Sequence, residues 1–168
     1  VMIMSVLSAI AGIFGCNKAP KYTADDIRSF SISCNHMDFS FAYSFYIKKS
    51  ENGWLFSTEC FTDGKSHHTE FENCPVTNEE VEELLTIIRE KDVIDSLRSY
   101  KKPKLKFHVL DETTYYSSVS FADGESIGAA TVVSRNETES YFYRLAEKYA
   151  DTKAESGETE TNKNSNPP

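Results

Sequence analysis

Residues 39–47 read Phe-Ser-Phe-Ala-Tyr-Ser-Phe-Tyr-Ile, and this stretch decides the fold. Successive side chains of a β-strand point to opposite sides, so its period of two predicts a strand with one strongly apolar face. That face could be a platform for a ligand such as a sugar ring. Burying one large apolar side chain stabilises the folded state by about 1.5–3 kcal/mol. We therefore predict instead that this face forms part of the hydrophobic core. The aromatic members of this face are Phe39, Phe41, Tyr43 and Phe45.

Further strands are predicted on both sides of this stretch. Apolar residues alternate with serines at 30–34, an apolar-rich segment follows at 54–61, and a fourth strand is predicted at 66–71. The dipeptides Asn52-Gly53 and Asp63-Gly64 separate these segments, and both are typical of hairpin turns because Asn and Gly tolerate a positive φ. The first half of the chain therefore predicts four strands connected by hairpins.

Two amphipathic helices are predicted. Thr77 with Glu80 forms a capping box, and Asn136 with Glu139 repeats the same spacing before the last apolar stripe. Residues 93–100 fit either a short helix or a turn. The apolar stripes, at helical spacing, are Val81, Leu84, Leu85 and Ile88 in the first helix, and Phe142, Leu145, Ala146 and Tyr149 in the second.

The second half of the chain contains three more predicted strands, at 105–109, 115–121 and 127–133, with a turn at Asp123-Gly124. Hairpin-linked strands with helices in separate runs indicate an α+β fold. We expect an antiparallel sheet of about seven strands in a ββββα-βββα order, with both helices packed on one face. This single domain covers residues 27–149. Residues 150–168 lack large apolar side chains and are expected to form a disordered polar tail.

The first fifteen residues are uncharged and apolar. A bilayer-spanning helix needs about 20 residues, so this length fits the apolar part of a secretory signal peptide. No basic segment precedes it, and we expect that the recorded sequence begins inside the signal peptide.

The end of this segment, Ile13-Phe14-Gly15-Cys16, resembles the lipobox of bacterial lipoproteins. The resemblance implies cleavage before Cys16 and attachment of acyl chains such as palmitate to that residue. Residues 16–26 would then be a lipid-anchored linker, and the domain would lie on the extracytoplasmic side of the cell membrane. The domain also resembles small lipoproteins of Gram-positive bacteria in its aromatic-rich alternating strands, which implies a location and not an activity.

The net charge of −8 argues against nucleic-acid binding, which requires a basic surface. Against this acidic background, Lys101, Lys102, Lys104 and Lys106 form a basic run. It could contact anionic lipid headgroups or an anionic wall polymer. Alternatively, it is a solvated edge strand on which lysines discourage unwanted pairing.

His67 and His68 are adjacent and face opposite sides of a strand, and Glu70 and Glu72 share the face of His68. A His-Glu-Glu ladder is thus the best available metal site, while a polar outer face is the alternative. The sequence has no motif for a cofactor. Disulfide formation stays open, although counting from the turns places no two of the domain's cysteines opposite each other. These cysteines are Cys34, Cys60 and Cys74.

Two functions follow from these observations. The first is a non-enzymatic, membrane-anchored domain that binds a partner such as an envelope protein or a wall polymer, since motifs of catalysis are missing. The second is a cell-envelope hydrolase or metal-dependent enzyme that uses His67 or His68 with nearby carboxylates.

Overall fold

The computed structural model describes residues 21–36, 41–62, 67–101 and 113–156. They form an α+β fold with one open antiparallel sheet of six strands and three helices. The strands are β1 (Ile27–Asn35), β2 (Phe41–Ser50), β3 (Gly53–Thr62), β4 (His67–Val76), β5 (Thr114–Phe121) and β6 (Ser126–Ala129). The helices are α1 (Asn78–Glu90), α2 (Val93–Ser99) and α3 (Arg135–Ser156).

The sheet order is β4-β3-β2-β1-β5-β6, so β1 lies in the interior of the sheet between β2 and β5. The turns expected at Asn52-Gly53 and Asp123-Gly124 are confirmed. Gly53 and Gly124 have φ values of 124° and 86°, which side chains with a Cβ rarely adopt. β3 and β4 pair with a bulge near Phe56, where Asn73 on the opposite strand takes a φ of 53°.

The helices pack on one face of the sheet, as predicted. Phe142 of α3 lies at the centre of this core, and its ring stacks on Phe45 with centroids 5.3 Å apart. Phe30 and Phe56 stack on it from the neighbouring strands, each at 6.0 Å. The predicted stripe of α1 is buried, and the capping box of Thr77 and Glu80 is formed.

Several details differ from the sequence prediction. Residues 93–99 form helix α2, so there are three helices instead of two. The returning strand β6 ends at Ala129 instead of Val133, and the chain then enters α3 through Ser134, which has a φ of 47°. α3 begins at Arg135, so Asn136 lies inside the helix instead of capping it. The predicted strand at 105–109 lies outside the described residues.

Both ends of the domain extend beyond the predicted limits of 27 and 149. α3 continues to Ser156, and residues 157–168 of the predicted tail lie outside the described residues. The last part of the predicted linker is packed: Ala24–Asp26 is a turn of 3-10 helix, and Tyr22 and Ala24 are buried. Among the described residues, no helix combines the length and the apolar character required to cross a membrane.

The N-terminal latch fixes the start of the described chain to the β5–β6 turn. Tyr22 stacks on Phe121 with centroids 3.9 Å apart, and its hydroxyl donates to Asp123 at 2.6 Å. Lys21 forms an ion pair with Glu125. The latch, defined by these five residues, therefore holds Lys21 and Tyr22 at the end of the sheet that carries the β5–β6 turn.

Candidate binding surface

The outer face of the sheet is the face opposite the helices. It arises from the same alternation that builds the core, because each buried residue has a neighbour that points the other way. In β1, for example, Phe30 and Ile32 are buried, and Ser31 between them lies on the outer face. Small hydroxyl side chains lie along the outer face. They are Ser29, Ser31, Ser33, Ser44, Ser57, Ser118 and Ser120.

Some of these serines pair across the seam between β1 and β5. The hydroxyl oxygens of Ser29 and Ser120 lie 2.5 Å apart, and those of Ser31 and Ser118 lie 2.9 Å apart. Each pair hydrogen-bonds across directly opposed positions of an antiparallel ladder. This part of the outer face is therefore polar, and the paired serine hydroxyls are held in place by their hydrogen bonds.

Two tyrosine side chains project from the outer face. Tyr46 on β2 is 38% exposed and Tyr116 on β5 is 49% exposed, and they are the large apolar side chains classed as exposed in the described part of the chain. The register places Tyr46 opposite Ser31, and Tyr116 opposite Ser33. The two rings thus flank β1 on either side.

The ring of Tyr116 lies over Gly128 of β6. A Cβ built on Gly128 would come within 2.8 Å of the Tyr116 Cζ atom, which is closer than real Cβ contacts. Gly128 has no positive φ that would require glycine. The absence of a side chain at this position is therefore explained by the ring that covers it.

A depression of about 290 Å³ lies at the end of the sheet where β1 ends and β2 begins. Its lining includes Ser33, Asn35, Ala42, Ser44, Glu59 and Phe61. A second depression of about 160 Å³ adjoins it, shares Ser44 and Glu59, and extends to Tyr46. Together they form a trough across β2 and β3 that combines hydroxyl, amide and carboxylate groups with an aromatic wall.

His68, the histidine of the possible His-Glu-Glu ladder, lies at the edge of this trough. The His68 Nε2 atom is 3.6 Å from Glu59 Oε1 and 4.0 Å from Glu70 Oε2, and its ring stacks on Phe61 at 4.5 Å. The nearest carboxylate thus comes from the neighbouring strand and not from the predicted ladder of Glu70 and Glu72. Within the described ranges, no group of three or more His, Cys, Asp or Glu side chains could hold a metal ion.

The inner face carries a separate polar cluster. The Tyr43 hydroxyl donates to Glu139, which also accepts from Arg135 Nε at 2.7 Å, and the Arg135 guanidinium lies 4.2 Å above the Tyr115 ring. Burial, followed by the hydrogen bond to Glu139, raises the pKa of Tyr43 far above its usual value. A phenol with so high a pKa stays protonated, and its hydrogen bond to Glu139 connects the sheet to α3.

Among the described residues, Cys34, Cys60 and Cys74 form no disulfide. Cys34 and Cys60 both pair with Tyr43, from β1 and β3 respectively, so a whole strand separates them. As counting from the turns predicted, no two of the three cysteines lie opposite each other in the sheet. Burial raises the pKa of the Cys34 and Cys60 thiols, which disfavours the reactive thiolate.

The remaining predicted site residues are placed as follows. Lys101 is exposed directly after α2. Lys102, Lys104, Lys106 and the lipobox cysteine, Cys16, lie outside the described residues. The outer face was missed by the sequence analysis, although its signal was present in the serines and tyrosines that alternate with the core residues of β1, β2 and β5.

Comparison with known proteins gives no further identification, because no family model, no curated protein and no solved structure matches the chain.

Proposed function

We propose that the protein is a non-enzymatic binding domain, held at the extracytoplasmic surface of the membrane by a lipid on Cys16, and that the outer face is its binding surface. The observation that carries this proposal is the outer face itself. It presents two exposed tyrosine rings and a polar trough, whereas its strands already bury their apolar side chains against the helices. Solvent-exposed aromatic rings grouped with polar residues are typical of recognition surfaces.

The latch supports the anchoring part of the proposal. Only residues 17–20 separate Cys16 from Lys21, and an extended chain advances at most about 3.6 Å per residue. A lipid on Cys16 would therefore keep Lys21, the first residue of the latch, within about 18 Å of the acylated residue. The depression lies at the opposite end of the strands, so it would point away from the membrane.

Metabolic labelling with palmitate tests the anchor. The full chain, expressed in a Gram-positive host behind an initiator methionine and a basic leader, is compared with Cys16→Ala and with the matched control Cys74→Ala. We expect the Cys16→Ala variant to lose the label and the membrane association, while the control keeps both. Equal labelling of the Cys16→Ala variant and the parent chain would refute the anchor.

A further inference from the structure

We propose that the outer face binds a neutral saccharide chain, with sugar rings stacked on Tyr46 and Tyr116 and sugar hydroxyls bonded in the adjoining trough. This inference rests on the proposed function, because it names the ligand class of the same surface. A sugar ring has an apolar C–H face and a rim of hydroxyls. A ligand of this kind requires exposed aromatic faces next to groups that both donate and accept hydrogen bonds.

Tyr116 is already held as a stacking platform. The hydroxyl end of its ring lies over Gly128, where a side chain would require it to shift, and about half of the residue stays exposed. The ring is therefore restricted at its hydroxyl end by the sheet while much of its surface is accessible to a ligand. Little conformational freedom is lost when a ligand stacks on a ring that is already oriented, which favours binding.

The distance between Tyr46 and Tyr116 suits a saccharide chain and is longer than one sugar ring. They lie on strands separated by β1, and their partners Ser31 and Ser33 are two residues apart. With about 4.8 Å between strands and about 3.4 Å per residue, their Cα atoms are about 12 Å apart. A single sugar ring does not span this distance, so each tyrosine would contact a different unit of the saccharide.

The hydrogen-bonding groups of the trough suit a polyol. Ser33 and Ser44 have hydroxyls that donate and accept, Asn35 has an amide that does both, and the Glu59 carboxylate accepts. Sugar hydroxyls also donate and accept, so they can pair with every one of these groups. An apolar partner would instead cover these polar groups without satisfying them, which is costly.

The charge of the surface selects a neutral ligand. Serines lie between the two tyrosines, while the carboxylates of Glu59, Glu70 and Glu72 stand on the β3–β4 side. These carboxylates and the net charge of −8 repel polyanions such as uronate or phosphate polymers. Lys48 lies two residues from Tyr46 on the same face, and its positive charge disfavours a cationic chain stacked on the tyrosines.

Calorimetric titration of the full chain in detergent micelles tests the proposal with three hexasaccharides. The neutral probe is β-1,4-linked N-acetylglucosamine, the cationic probe is its de-N-acetylated form, and the anionic probe is α-1,4-linked galacturonate. We expect the neutral hexamer to bind most tightly. Tyr46→Ala and Tyr116→Ala should each weaken its binding about 10-fold, the effect of losing about 1.4 kcal/mol of stacking.

Matched variants separate stacking from other effects. Tyr116→Phe keeps the ring and should change the Kd less than about 2-fold. Gly128→Ala displaces the ring without removing it and should weaken binding as Tyr116→Ala does. Glu147→Ala, on the exposed side of α3, should have no effect. Binding of the neutral hexamer that is unchanged in both tyrosine-to-alanine variants would overturn the proposal, as would preferential binding of the cationic hexamer that is lost in Glu59→Gln.

Hydroxyl-radical footprinting on intact cells distinguishes two failures. Either the outer face binds a ligand that is not a saccharide, or it binds no ligand at all. If no hexamer binds but Tyr46 and Tyr116 are protected on cells relative to the isolated chain, the saccharide is refuted and the binding function stands. If both tyrosines are oxidised as fast on cells as in the isolated chain, both proposals fail.

Discussion

Phe45 and Tyr46 are adjacent in β2 and have opposite roles. Phe45 is fully buried and stacks on Phe142, whereas Tyr46 is 38% exposed on the outer face. The sequence predicted the first role from the period of two, and the burial of Tyr43 and Phe45 confirms it. Phe41 is half-buried, and Phe39 lies outside the described residues. The same alternation turns Tyr46 away from the core, but a binding role could not be predicted, because a polar outer strand face looks the same in sequence whether it binds a ligand or only water.

Alanine substitutions at these two neighbours should therefore differ sharply. Phe45→Ala removes the ring that contacts Phe142 and Phe56 and leaves a cavity, so we expect a loss of about 3–5 kcal/mol in the free energy of unfolding. Tyr46→Ala should change it by less than about 0.5 kcal/mol. Urea denaturation followed by circular dichroism measures both values. Equal losses would show that β2 has been placed in the wrong register.

At the scale of elements, α1 begins at a capping box and is connected to α3 by charged side chains. The Thr77 hydroxyl accepts from the Glu80 backbone N–H, and the Glu80 carboxylate accepts from the Thr77 backbone N–H at 2.9 Å. The same Glu80 accepts from Lys148 at 2.6 Å. The start of α1 was predicted correctly because its signal lies within four residues of sequence.

We expect Thr77→Ala to lower the free energy of unfolding by about 1 kcal/mol, because both the cap and its partner Glu80 lose a hydrogen bond. Thr77→Ser keeps a hydroxyl at the cap and should lose only a small part of this amount. Thermal or urea unfolding of the three proteins measures the difference. If the serine variant is destabilised as much as the alanine variant, the threonine acts through its methyl group and not through the cap.

Elements without such local signals were predicted less well. α2 has seven residues, and two turns of helix are too short to show a periodicity that excludes a turn. α3 extends past 149 because a helix can continue over exposed, polar residues such as Thr152, whose hydroxyl donates to the Lys148 carbonyl. The apolar stripe locates the buried part of a helix, but it does not locate its end.

At the scale of the whole molecule, the latch joins the start of the described chain to a turn about a hundred residues away. The hydrogen bond from Tyr22, followed by one from the Glu125 backbone, lowers the pKa of Asp123 below its usual value of 3.8. The pKa of Glu125 is lowered chiefly by its hydrogen bond with Lys21. Both carboxylates are thus more acidic in the folded chain than in the unfolded chain, so the unfolded chain binds protons first as the pH falls.

The contribution of these carboxylates to stability is therefore fully present above about pH 5 and is lost as the pH falls through their lowered pKa values. We expect Asp123→Asn to reduce the acid sensitivity of unfolding below about pH 4 and to lower stability at pH 7. Asp151→Asn, on the exposed end of α3, is the control and should follow the parent chain. Urea midpoints measured between pH 2 and 7 give the comparison, and parallel profiles for all three proteins would contradict the role of the latch.

The position of β1 has a mechanical consequence. The chain enters the domain through a strand that is paired on both sides, with β2 and with β5, over most of its length. A force that pulls on the N-terminal end along this strand loads two ladders of hydrogen bonds in shear, so many bonds must break together instead of one after another. A domain tethered at this end is thus attached through a strand that resists extension.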